Sequence, residues 1–166
     1  MSIQRIIKHL LFTDAQIRRD FSLPVLKRIE QAIHDSKSTH TGEILFVVEG
    51  GLEFTSLLRR TSARERALEI FSEFRVWDTE QNNGVLIYVL LADRAVEIVA
   101  DRGIHARVRG ETWRTICQQM EASFSRSDFQ AGVMQGIASV SAHMDRHFSV
   151  QTKRANELPD QPVLLT

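Results

Sequence analysis

The stretch Gly84-Val85-Leu86-Ile87-Tyr88-Val89-Leu90-Leu91-Ala92-Asp93-Arg94-Ala95-Val96-Glu97-Ile98-Val99-Ala100-Asp101 decides the fold. Residues 85–91 are apolar at every position, so both faces of that strand are covered and it belongs in the middle of a sheet. Ala92-Asp93-Arg94 reads as a tight turn, and residues 95–100 return as the second arm of a hairpin. Upstream, Ile44-Leu45-Phe46-Val47-Val48 is another short apolar run, halted by Gly50-Gly51. Between the two runs, Ser62-Ala63-Arg64-Glu65 has capping-box spacing, and Ala67, Ile70, Phe71 and Phe74 follow at helical intervals. Strand, helix, strand in that order makes the two strands parallel and their crossover right-handed. The hairpin arm then adds an antiparallel partner.

Further out, helices bracket this unit. One begins at Ser22, with Pro24 in its first turn and Leu26, Ile29 and Ile33 as its buried stripe. Two more carry the stripes Trp113, Ile116, Cys117, Met120, Phe124 and Phe129, Val133, Ile137, Val140, Met144, the second capped by Asp128. Ile3, Ile6, Ile7, Leu10 and Leu11 predict a short amphipathic N-terminal helix with Arg5, Lys8 and His9 on its polar side. It reads as a cap on the core, with docking to a membrane surface as the other reading. The expected architecture is α/β, a three-layer α/β/α sandwich with a small mixed central sheet flanked by helices. Residues 1–148 form a single domain in this reading. Residues 149–166 form a polar tail containing Pro159 and Pro162, whose end, residues 158–165, is apolar enough to dock.

Composition sets the outer bounds. The 166 residues (19.0 kDa) are 43% hydrophobic and 25% charged, an ordinary globular mixture sized for one domain. Lys+Arg and Asp+Glu are both 21, so no net positive field exists to hold nucleic acid. Cys117 is the sole cysteine, which suits a reducing compartment. No apolar run reaches the roughly 18 residues of a spanning helix, and the charged N-terminus does not read as a secretory signal. A cytoplasmic location is expected, with the inner face of the membrane as a peripheral alternative.

The densest polar run is Asp78-Thr79-Glu80-Gln81-Asn82-Asn83-Gly84, just before the central strand. Hairpin register places residue 84 across from residue 101, and the parallel strand starts at the same edge. Asp78, Asn82, Asn83, Asp101 and Glu43 therefore fall together, and oxygen ligands of this kind suit a hard divalent cation, calcium first. The run is not an EF-hand loop, because its glycine comes one place late and Val89 stands where a bidentate Glu is needed. Arg102, Arg107 and Arg109, with His105 and the helix start near Thr112, are the candidate anion or phosphate contacts. Solvated loop chemistry is the competing reading of both groups. The opposite sheet edge, with Glu49-Gly50-Gly51 and Asp93-Arg94, ranks second. His143 and His147 have zinc-pair spacing but no third ligand, and Cys117 reads as a packed thiol.

The run from Phe71 through Asn82-Asn83-Gly84-Val85-Leu86-Ile87-Tyr88, the turn Ala92-Asp93-Arg94 and the segment Glu97-Ile98-Val99-Ala100-Asp101-Arg102-Gly103-Ile104 resemble the TPM domain family. Phe124, Phe129 and Gly132 continue the likeness, which covers roughly residues 10–148. The resemblance implies an α/β/α sandwich. It also implies an acidic groove at Asp78, Asn82, Asn83 and Asp101, calcium binding, and a part in the maintenance of membrane complexes. Two functions are expected from it. One is a cation-binding interaction module with a protein partner at or near a membrane; the other is a metal-dependent, acid-phosphatase-like hydrolase of phosphate esters. The sequence supplies ligands for either but no recognisable nucleophile motif.

Overall fold

Two strands with apolar interiors, residues 44–48 and 85–90, need two apolar layers to cover them, and the chain builds those layers from helices. The computed structural model describes residues 3–150 and 155–166. In chain order it contains α1 (Ile3–Leu10), α2 (Asp14–Asp20), α3 (Leu23–Ser36), β1 (Glu43–Glu49), α4 (Phe54–Leu58) and α5 (Ala63–Glu73). There follow β2 (Gly84–Leu90), β3 (Ala95–Ala100), α6 (Arg102–His105), α7 (Gly110–Ser125), α8 (Phe129–Phe148) and β4 (Val163–Leu165). No described helix is long and apolar enough to cross a membrane.

The sheet runs β3-β2-β1-β4. β1 and β2 are parallel, from Glu43 opposite Gly84 to Glu49 opposite Leu90. β2 and β3 are antiparallel, from Val85 opposite Ala100 to Leu90 opposite Ala95. Side-chain alternation then sorts the core into two layers. Ile44, Phe46, Val48, Val85, Ile87, Val89, Val96 and Ile98 face one way, against Ile29 and Ile33 of α3, Ile116 and Met120 of α7 and Val133 and Ile137 of α8. Leu45, Val47, Leu86, Tyr88, Leu90 and Val99 face the other, against Leu57 of α4, Ala67 and Ile70 of α5, and Leu158. That is the three-layer sandwich.

Local chemistry explains the helix starts. At α5 the Ser62 side chain accepts the Glu65 N–H while Glu65 accepts the Ser62 N–H, so the capping box read from sequence forms. Ser22 precedes α3 and Asp128 caps α8, as expected. The outer strand β3 keeps little of its backbone open. The Val96 N–H donates to Glu121, and Arg64 donates to the Ile98 carbonyl, which blunts that edge against pairing with another chain.

At the two ends of the chain the structure decides between the readings the sequence left open. The tail docks: Leu158 is buried, and residues 163–165 pair in parallel with 47–49 as β4, an edge strand too short to announce itself by periodicity. Helix α1 forms where expected but does not cap the core with its apolar stripe. His9 is its buried residue and Ile6 packs against the core, while Ile3, Ile7, Leu10 and Leu11 face outward.

Candidate functional site

The N-terminal edge of the parallel strands is where the sequence placed its oxygen cluster. The expected register holds there: Glu43 lies opposite Gly84, and the Asp101 N–H donates to the Gly84 carbonyl at 2.9 Å. The loop before β2 is stitched to the segment after β3. Gly103 N–H donates to the Asn82 carbonyl (2.9 Å), and Arg102 Nε donates to Asn82 Oδ1 (3.0 Å). Asn82 sits in the left-handed region with φ 51°, which asparagine tolerates better than most residues. Position 103 has to be glycine, because a Cβ there would lie 2.5 Å from the Asn82 carbonyl oxygen.

Inside this corner, Asn83 and Asp101 are both buried. The Asn83 N–H donates to Thr79 Oγ1, and its Nδ2 donates to the Thr41 carbonyl and to Gln81 Oε1. Asp101 Oδ1 accepts the Arg102 N–H at 2.7 Å and starts the single-turn α6. One oxygen on each side chain, Asn83 Oδ1 and Asp101 Oδ2, is buried with no hydrogen-bond partner among the described residues. Leaving such an acceptor empty costs roughly 1–3 kcal/mol.

The remaining candidates are placed differently. Asp78 is exposed in the loop. Glu43 lies on the Leu45 side of the sheet, where it accepts from Lys37 Nζ (2.7 Å) and from the Glu157 and Leu158 N–H groups. Adjacency along the edge is real for Glu43, but strand alternation sets it, like Asp101 opposite Gly84, on the Leu45 side, while Asn83 shares the parity of Val85. The three arginines have separate tasks. Arg102 holds Asn82, Arg107 donates to the His147 carbonyl and lies 4.8 Å from the Phe148 ring centroid, and Arg109 is exposed just before α7. Among the described residues no three His, Cys, Asp or Glu side chains form a metal-binding group, His143 and His147 included. His143 instead packs edge-on against Trp113. Burial pushes the Cys117 thiol up to about 12, as a packed thiol requires.

The second-ranked edge is fully engaged. Glu49 accepts from Arg66 Nε and Nη2 at 3.1 Å and from the Tyr88 hydroxyl at 2.5 Å. Asp93 accepts from Arg5 and pairs with His9 Nε2. Burial alone would raise the Asp93 carboxyl, but the bonds from His9 and Arg5 hold it well below the usual range. These are pairing groups with their capacity used.

His40 escaped the sequence reading. It is buried, with no well-formed hydrogen bond to either ring nitrogen among the described residues. Burial lowers it to about 4, against weaker opposing pulls from the Gly42 backbone and Asp145. Below its ordinary pKa near 6.5 the unfolded chain takes up a proton that the folded one refuses. Stability present above that pH is therefore lost between about pH 6.5 and 4, by up to about 3 kcal/mol. Urea midpoints at pH 7 and 4.5 should differ by that margin more in the wild type than in His40→Leu; equal pH dependence in both would refute the assignment.

With the geometry described, the class is plain: an α/β/α sandwich whose conspicuous corner joins a parallel strand start to a hairpin end. The TPM domain model matches residues 21–143, and the chain belongs to that family. The BA42 protein of the psychrophilic bacterium Bizionia argentinensis is similar at 26% identity, covering 86% of this chain and 94% of that one with a TM-score of 0.75. The N-terminal domain of a P. gingivalis protein shares the fold at 19% identity, with a TM-score of 0.60 and coverage of 79% and 82%. Among curated proteins none matches.

Proposed function

We propose that this TPM domain is a divalent-cation-binding interaction module, with calcium the preferred ion and a protein associated with membranes as its partner. The observation carrying the reading is the two buried oxygens at one sheet edge, Asn83 Oδ1 and Asp101 Oδ2, that have no hydrogen-bond partner among the described residues. A carboxylate and a carboxamide oxygen are hard donors, the chemistry calcium takes, with backbone carbonyls and water completing its six to eight ligands. Asn83 and Asp101 would hold the ion, with exposed Asp78 as a further carboxylate on the same loop. The ion would supply the positive partner that these oxygens lack and fix the loop 78–83 against the start of α6. Arg102, bridging to Asn82, makes the loop's shape sensitive to that event.

Binding to the folded state alone raises stability by about 2.7 kcal/mol when free ion is about 100 times its dissociation constant. A metal-stripped sample should therefore melt several degrees higher in calcium. Asp101→Asn keeps the volume but removes the charge and should abolish the rise. An unchanged melting curve for the wild type, or an undiminished rise in Asp101→Asn, defeats the reading. Assaying the calcium-loaded wild type and Asp101→Asn against a phosphate ester tests the hydrolase alternative. Turnover that disappears in the variant would establish it.

A further inference from the structure

Helix α1 is attached by its polar side. His9 is 3% exposed; its Nδ1 accepts the Leu52 N–H (2.9 Å) and its Nε2 meets Asp93 Oδ1 (2.9 Å). Arg5 donates to Asp93 and to the Thr61 carbonyl. Gly51 lies so close to the helix that a Cβ there would be 2.6 Å from the His9 carbonyl oxygen. With Ile6 beside it on the core, this built fastening turns the rest of the apolar stripe to solvent: Ile3 is 74% exposed, Ile7 50%, Leu10 52% and Leu11 69%. A helix packed on a globular core ordinarily does the reverse. Beside it α4 adds Phe54 and Leu58, also exposed. Six of the ten large apolar side chains exposed among the described residues thus belong to α1, its following residue and α4.

The charge at this face selects the occupant. Arg5 is neutralised by Asp93, leaving Lys8, Arg59 and Arg60 exposed on and beside the two helices against Glu53. In a chain whose formal charge is zero, this is a local cationic rim around protruding aliphatic and aromatic groups. A short helix with an apolar face and cationic flanks lies in the headgroup region of an anionic bilayer. We propose that α1 and α4 form a docking surface for anionic lipid membrane, with Ile3, Ile7, Leu11 and Phe54 entering the interface and Lys8, Arg59 and Arg60 meeting lipid phosphates. The surface is separate from the Asn83–Asp101 corner and does not depend on a bound cation.

The test is co-sedimentation of the full chain with vesicles in EDTA, so that its failure is distinct from failure of the cation reading. Phosphatidylglycerol vesicles at low salt should pellet the protein, and phosphatidylcholine vesicles should not. Ile7→Ser/Leu11→Ser alters exposed side chains only and should weaken binding about tenfold or more with an unchanged melting curve. Lys8→Glu/Arg59→Glu/Arg60→Glu should weaken it about a hundredfold, and 0.5 M salt should mimic that loss. The proposal is overturned by absent binding to anionic vesicles, by equal binding to neutral ones, or by binding that survives both variants. It is also overturned if the wild type sediments as a dimer that Ile7→Ser/Leu11→Ser dissociates, since a second copy then covers the face.

Discussion

Gly84→Ala should destabilise the protein by about 3 kcal/mol or more, enough to threaten folding at ordinary temperature. A Cβ at residue 84 would lie 1.9 Å from the Val76 carbonyl oxygen, which is backbone and cannot rotate away. Val76 is itself buried, and its N–H is bonded to the Phe71 carbonyl at the end of α5, so the clash can be relieved only by prying the loop from the strand. The reading is the urea midpoint, compared with that of Gly110→Ala, where a Cβ would meet nothing within 4 Å. Similar midpoints for the two variants would show that the approach of residues 76 and 84 is not a constraint on the fold.

A second large effect is expected at the far end of the same strands. Glu49→Ala should cost about 3 kcal/mol, because it leaves the buried Tyr88 hydroxyl without its acceptor and the part-buried Arg66 guanidinium with only the exposed Glu69 and Glu73 carboxylates. The coupling is visible in the ionisation of its partners. Burial and the nearby Glu49 carboxylate raise the Tyr88 phenol, and the Glu49 and Glu69 carboxylates raise the Arg66 guanidinium against the opposing effect of burial. A cycle of single and double variants with Arg66→Met separates the ion pair from simple packing. The double variant should recover part of the loss, since an Arg66 guanidinium deprived of its bidentate partner costs more than a pair removed whole. Strict additivity of the two losses would mean that the pair is not coupled.

How far the sequence reached depended on whether the signal was local. Residues 85–91 needed two apolar layers wherever they lay, so the central strand, the hairpin and the parallel neighbour followed, with the register that brings Gly84 to Asp101. The stripes of α7 and α8 were legible for the same reason. Helix α2 was not: among its seven residues, Asp14 to Asp20, only Ile17 is both apolar and buried, and the segment is fixed by Gln16 capping Thr13. The orientation of α1 was hidden because periodicity reveals a stripe but not the side on which it is fastened; Asp93 and Leu52, distant in sequence, decide that. That residues 43, 84 and 101 meet at one edge followed from register, yet Glu43 shows the limit of that reasoning, since its carboxylate is taken by Lys37 and the backbone of residues 157 and 158. His40 carried no pattern at all.

The pairing of residues 163–165 with 47–49 bears on the order in which the molecule is made. During synthesis β1, α5, β2 and β3 emerge in sequence and pair through short connections. The outer side of β1 must wait for more than a hundred further residues before β4 arrives. Contacts this distant along the chain form late and slowly. Through that interval a strand reading Ile44-Leu45-Phe46-Val47-Val48 offers open backbone to any other extended chain. Nascent chains halted before residue 163 should therefore be the species most prone to mispairing, and helpers that bind extended apolar segments would act there, before the native edge is sealed.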